Sequence, residues 1–268
     1  MMDINNIRIA ICFSGMIRTG VLASENILAF IGDLLPQCDF FLHTWGHSAD
    51  KKWHPMCKST VGPKEDKFSG LYNDTSYYNS YELIHDLTNI YKFTLVSVKS
   101  VDTIGYISNG NIPPLYYSWY KSNCLKIEYE NISSTKYDVV IKMRPDIIYD
   151  LCVTSLQSSI NTWLQHPEYF YSADGNAILQ DYAYDIFFMG NSKTMDSASR
   201  FFEEVNRVGT DTGLVNFLRE NSIPIDTSYG IPGSPYRSEA VILGLGPNQY
   251  EECLEVDQYC YHPAVEVT

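Results

Sequence analysis

Residues 137–150, YDVVIKMRPDIIYD, constrain the fold more than any other stretch of the chain. Val139, Val140 and Ile141 form a short β-branched apolar run, the mark of a strand covered on both faces. Pro145 has no N–H to donate to a ladder, so the strand must end beside it. Asp146 is thereby placed at the carboxyl end of a central strand, the edge where open α/β sheets bind ligands. A second reading stands beside this one: Arg144 and Asp146 pair with each other locally, as strand-end ions commonly do.

The rest of the chain fits a sheet built around that strand. Residues 7–13, IRIAICF, predict a strand that runs into the small-residue turn Ser14, Gly15, Met16, Ile17, Arg18, Thr19, Gly20. A helix follows, with Leu22, Asn26, Phe30 and Leu34 three or four apart and Pro36 closing it. A strand, a small-residue turn and a helix N-terminus let backbone N–H groups approach an anion, and Arg18 would add a bidentate phosphate contact. A plain βα turn with a surface arginine explains the same residues equally well. Residues 39–44 predict a second strand, ending at Trp45, whose ring either stacks on a base or packs in the core. His43, His47, His54 and Cys57 have spacings that fit no standard zinc finger.

Residues 49–80 are polar and read as a long loop. A helix over 81–91 and a strand over 93–98 follow, then a loop over 105–114. Residues 115–132 predict a helix with Tyr117, Tyr120, Cys124 and Ile127 on one face, and Lys121 either pointing toward the ligand end or standing in solvent. Beyond the central stretch, strands are predicted over 169–173 and 185–189. Ser192 is predicted to cap a helix carrying Met195, Ala198, Phe202 and Val205, and Thr210-Asp211 to open another through Leu214, Val215 and Leu218. Strands alternating with helices give an α/β domain with a mostly parallel central sheet flanked by helices. No composition break divides the chain. One domain is expected over 1–268, with a core over 7–225 and a tail, 226–268, wrapping over it.

Composition narrows the partners. A net charge of −13 argues against holding nucleic acid through a broad phosphate footprint. No apolar run reaches the roughly 20 residues that a membrane helix needs. Seven cysteines without framework spacing, and no export signal, predict free thiols and a cytoplasmic setting.

Five segments appear in order: CFSGMIR, FLHTWG, YDVVIKMRPDI, DYAYDIFFMGN and TDTGLVNFL. Together, over about residues 7–225, they resemble the GT-A class of glycosyltransferases that use nucleotide sugars, and are similar to small stand-alone enzymes of bacteria and large DNA viruses. The resemblance implies a Rossmann-like GT-A domain that moves one sugar from a nucleoside diphosphate donor to a hydroxyl of a glycan or other acceptor. For a viral enzyme it implies the host cytoplasm. In that class an Asp-x-Asp motif at the end of the central strand holds a divalent metal and the donor diphosphate. Here the place reads Arg144-Pro145-Asp146, so the second acidic position is kept and the first is arginine.

The resemblance thus implies Mn²⁺ or Mg²⁺ on Asp146, with donor contacts from Ser14, Gly15, Arg18, Trp45, Lys121, Arg144 and Asp146. Direct neutralisation of the diphosphate by Arg144, Arg18 and Lys121 is the other way to supply the charge. An acidic residue at the start of a late helix often serves this class as general base. Asp211 matches that place, with Asp181, just before the DIFFMGN strand, as second choice. A base there implies direct displacement with inversion. Two rivals remain at this stage: another sugar-nucleotide enzyme such as a nucleotidylyltransferase, and a non-catalytic nucleotide- or glycan-binding module.

Overall fold

Every residue of three strands of four residues or more is buried, and this places the centre of the molecule. These are β1 (Ile9–Ser14), β4 (Val139–Met143) and β7 (Phe187–Gly190). The computed structural model describes residues 4–15, 17, 20–46, 81–100, 114–149, 151, 155–172, 187–208, 211–226 and 236–237. Within them, β2 (Cys38–Gly46), β3 (Leu95–Ser100) and β6 (Tyr171–Ser172) complete a six-stranded sheet of order β3-β2-β1-β4-β7-β6. Strands β1 to β4 are mutually parallel, and β7 pairs antiparallel with both β4 and β6. β7 therefore runs against the rest. The expected α/β architecture, a mostly parallel central sheet flanked by helices, is what the chain forms.

The order 3-2-1-4 dictates where the helices lie. Crossovers between parallel strands are right-handed, so reversing the direction of travel across the sheet moves the crossover to the opposite face. The helices α1 (Gly20–Ile31) and α2 (Tyr81–Tyr91) serve β1 to β3, and α3 (Pro114–Ser133) carries the chain back to β4. Side-chain alternation supplies both faces. Ile9, Ile11, Phe13, Val139, Ile141 and Met143 join Ala23, Ile27, Phe30 and Leu87 in one core. Ala10, Cys12, Phe41, Val140 and Phe188 join Tyr116 and Trp119 of α3 in the other, with Leu214, Val215 and Leu218.

Several expectations change in detail. The second core's helices are α5 (Ser192–Ser199), α6 (Phe201–Val208) and α7 (Asp211–Glu220). The single helix expected after Ser192 is two, broken at Arg200. Its N-cap is Asn191, whose Oδ1 accepts from the Thr194 N–H at 2.8 Å. Ser192 is otherwise engaged: its Oγ donates to Glu130 and accepts from Lys126 Nζ at 2.7 Å.

The sheet-facing side of α3 is also one residue away from the predicted stripe. Tyr116, Trp119, Asn123, Lys126 and Glu130 are buried there, whereas of the predicted stripe Tyr117 is buried and Tyr120, Cys124 and Ile127 are only half-buried. Lys126 bonds Glu130, Asp196 and Ser192 at once, so polar groups occupy a face that a hydrophobic pattern would leave out. Burial pushes the Glu130 carboxyl up. Hydrogen bonds from Lys136, the Tyr137 N–H and Ser192, with the Lys126 charge, outweigh that and hold it below the usual carboxylate range.

Two elements were not anticipated. One is α4 (Leu156–Trp163), begun by a capping box between Ser155 and Ser158. The other is a two-stranded ladder of β5 (Ile147–Ile148) with β8 (Tyr236–Arg237). The tail thus pairs with the chain immediately after Asp146. The three described cysteines, Cys12, Cys38 and Cys124, are free. Burial pushes the Cys12 and Cys38 thiols up to about 12, which keeps both protonated at neutral pH. No helix among the described residues is long and apolar enough to cross a membrane.

Candidate active site

The strand order changes direction between β1 and β4, and a crevice at the carboxyl ends of these two strands is where such sheets bind ligands. β1 ends at Ser14-Gly15 and β4 at Arg144-Pro145-Asp146. The two turns converge although about 130 residues separate them. A Cβ on Gly20, the first residue of α1, would stand 3.1 Å from the Pro145 carbonyl oxygen. A larger residue there would push the helix N-terminus off the Arg-Pro-Asp turn. Asn26 holds the other side of that junction. Its amide donates to the Tyr149 carbonyl at 2.9 Å and accepts from the Tyr149 N–H at 2.6 Å. Phe30 stacks on Tyr149 with ring centroids 4.0 Å apart. One turn of α1 thus acts as a strand partner for the segment that follows Asp146.

At the β1 end, Gly15 has φ +106°, a backbone conformation that L side chains rarely adopt, and a Cβ there would meet nothing within 4 Å. Glycine is needed for the turn, and the turn leaves its backbone open to close approach. The Gly15 carbonyl accepts from Thr44 Oγ1 at 2.8 Å, which ties this turn to β2. Ser14 and His43 are register partners across β1 and β2, both buried on the α3 side. Ser14 Oγ and His43 Nε2 have no hydrogen-bond partner among the described residues.

His43 Nδ1 bonds Ser118 Oγ of α3 at 2.9 Å. Burial, then the charges of Lys99 and Lys121, lower its pKa from 6.5 to about 3. The folded protein therefore keeps His43 neutral where the unfolded chain protonates it. Stability is lost as pH falls below about 6.5 and continues to fall toward pH 3. Between pH 7 and pH 5, wild type is expected to lose about 2 kcal/mol more than His43→Asn. Urea unfolding of both proteins at the two pH values measures the difference, and equal losses would contradict it.

Trp45 is 1% exposed and lies against His43 and Tyr117, with centroid distances of 5.5 and 5.6 Å. As it stands it is a core side chain with no open ring face for a base, because α3 packs over that end of β2. Lys121 is half-buried and lies over Tyr117 and Tyr120, 5.5 and 5.4 Å from the centroids. Lys99 joins it over Tyr117 at 4.7 Å. These two lysines make a small cationic patch on the β2–β3 side, and Lys99 carries no sequence signal that marks it out.

The Arg144–Asp146 pair is the centre of the β4 end. Arg144 Nε donates to Asp146 Oδ1 at 3.0 Å and Nη2 donates to Oδ2 at 2.9 Å. The Asp146 side chain is fully buried and the Arg144 side chain is 12% exposed. The local pairing weighed from sequence is thus present, in bidentate form. A divalent cation needs several oxygen ligands turned toward it. Both Asp146 oxygens are turned to Arg144 instead. Among the described residues no three His, Cys, Asp or Glu side chains form a group able to hold a metal ion. The donors as arranged do not fit the Mn²⁺ or Mg²⁺ expected on Asp146, because the arginine two residues away occupies the carboxylate.

Asp211 opens α7, as expected, and its side chain lies outside the described residues, as do Arg18 and Asp181. The far end of α7 is fixed to the start of β6: Phe170 N–H donates to the Pro224 carbonyl at 2.7 Å and Asp226 N–H to the Phe170 carbonyl at 2.9 Å. Ten residues rise about 15 Å, so Asp211 stands a full helix length from that tether.

No family model and no curated protein sequence match the chain. Among solved structures it is similar to mouse xyloside xylosyltransferase 1 in its apo form, at 7% identity and a TM-score of 0.36, over 82% of this chain and 77% of that one. It is also similar to UTP-bound UGPase from Acinetobacter baumannii, at 7% identity and a TM-score of 0.34, over 98% of this chain and all of that one. Both TM-scores lie below 0.5, and the fold assignment rests on the strand order and directions given above.

Proposed function

We propose that this chain is a glycosyltransferase that moves one sugar from a nucleoside diphosphate donor to a hydroxyl of a glycan or other acceptor, with inversion. One observation carries the reading. Phe13 of the CFSGMIR segment and Met143 of the MRPD segment, remote in sequence and both part of the GT-A resemblance, pair at the switch point of a mostly parallel sheet, and Gly20 just beyond the first segment stands against Pro145. Gly15 offers backbone, the α1 N-terminus offers N–H groups, and Arg144 offers fixed positive charge where a diphosphate would lie. Ser14 Oγ and His43 Nε2 offer buried polar atoms to the rest of the donor.

In the reaction, the acceptor oxygen forms a bond to the anomeric carbon while that carbon's bond to the diphosphate breaks. The hydroxyl proton passes to a carboxylate, for which Asp211 is the first choice and Asp181 the second. The diphosphate leaves with the electron pair, opposite cations that are already in position.

Thermal unfolding with UDP-, GDP- and dTDP-sugars tests the donor class. A matching nucleotide at about 100 times its Kd is expected to add about 2.7 kcal/mol to stability. No stabilisation by any of them would overturn the proposal. Product analysis then separates the chemistries: transfer releases a nucleoside diphosphate and a glycosylated acceptor. Pyrophosphate released from a nucleoside triphosphate and a sugar phosphate would favour nucleotidyl transfer instead.

A further inference from the structure

We infer that this site binds and neutralises a sugar-nucleotide diphosphate without a divalent cation, Arg144 standing where a metal would otherwise be held. The inference rests on the donor reading above and concerns the charge chemistry of the same site.

The geometry of the pair carries it. A carboxylate that recruits a metal must present oxygen lone pairs to the ligand side. Here Asp146 is the inner member of the pair, its side chain without exposed surface, and Arg144, whose side chain is 12% exposed, is the outer one. An anion approaching the end of β4 therefore meets a cation first. Two hydrogen bonds from adjacent nitrogens fix the plane of that cation, at 3.0 and 2.9 Å. A bidentate pair of this kind loses little freedom on binding a phosphate, because the fork is already held. Pulling Asp146 round to a metal would break both bonds and leave the guanidinium part-buried beside a dication. Like charges at such a distance repel strongly in a low-dielectric setting. Among the described residues no group of three metal-ligating side chains supplies further ligands beside Asp146.

The test is calorimetric binding of the free nucleoside diphosphate to the intact wild-type protein, after EDTA treatment and again with millimolar Mn²⁺ or Mg²⁺. Less than a twofold change in Kd between the conditions is expected. Arg144→Lys, which keeps the charge and loses the fork, is expected to weaken metal-free binding at least tenfold. Added Mn²⁺ should not restore it. Tightening of wild-type binding by tenfold or more on adding metal would overturn this inference and leave the donor reading intact. Rescue of Arg144→Lys by Mn²⁺ would overturn it equally. Absence of binding by every nucleotide with and without metal would instead overturn the donor reading, and this inference with it.

Discussion

Replacing Asp146 by alanine is expected to destabilise the folded protein by about 3–5 kcal/mol, the usual consequence of leaving a buried charge without its partner. The carboxylate is fully enclosed and receives two charge-assisted hydrogen bonds from Arg144, whose side chain is 12% exposed. Removing it takes both of these hydrogen bonds from a cationic side chain with little access to water. The double variant Arg144→Met with Asp146→Leu should recover much of the loss, because apolar side chains of similar volume need no compensation. Urea denaturation of wild type, the single variant and the double variant measures both effects. A single-variant loss under about 1 kcal/mol would mean the pair behaves as an exposed strand-end ion pair, whose contribution is small. The comparison also guards against a misreading of activity data. An inactive Asp146→Ala protein would ordinarily be taken as evidence for a metal ligand, whereas here the stability defect alone can abolish function.

The sheet strands and the helices that cross between them were the most legible features, because their signals are local. A β-branched run such as Val139-Val140-Ile141 announces a doubly covered strand without reference to anything else. α2 spans residues 81–91 as expected, and α1 forms where a helix was expected, although its buried line is Ala23, Ile27 and Phe30 while Asn26 of the expected stripe is half-buried, and it gives way at Gly32 to a 3-10 turn that contains Pro36. Features that depend on partners were not legible. The reversed direction of β7 is set by which strands it joins, and its sequence, FFMG, reads the same either way. β5 and β8 are two residues each, too short to carry a period, and exist because β8 returns to β5 from some 90 residues away. α4 hid because Ser158 takes the capping-box position that a Glu or Gln usually marks.

The candidate site divides along the same line. That Arg144 and Asp146 lie at a strand end follows from Pro145. Which of the two faces outward does not, since an i, i+2 pair across a proline turn can present either side chain. Lys126 and Glu130 teach the converse. A lysine inside a helix is normally assigned to solvent, yet this one is fully buried because Glu130, Asp196 and Ser192 all reach it. His43 is similar: its burial follows from α3 crossing β2, and the serine that meets its Nδ1 lies 75 residues away.

The largest expected effect on chemistry belongs to Asp211→Asn. A positioned general base contributes about 10²- to 10⁴-fold to rate, or roughly 3–5 kcal/mol of transition-state stabilisation. Asparagine preserves the side-chain volume and is tolerated in the first turn of a helix, so α7 and the fold should remain intact. The expected result is a transfer rate lowered by that factor, with donor affinity within twofold of wild type and an unchanged unfolding midpoint. The pH profile should change as well. Wild-type kcat falls as acid protonates the base, and this acid limb should be absent from the asparagine variant. Alanine is the less informative substitution, because loss of a first-turn acceptor alone costs about 0.5–2 kcal/mol of stability. Full transfer activity in Asp211→Asn would remove Asp211 from the mechanism and pass the role to Asp181, for which Asp181→Asn should then show the same loss of rate and of the acid limb. Activity in both variants would leave inversion by a protein carboxylate without a base, and the displacement would have to draw its proton acceptor from the departing diphosphate on the same face of the sugar, which predicts retention of configuration in the product.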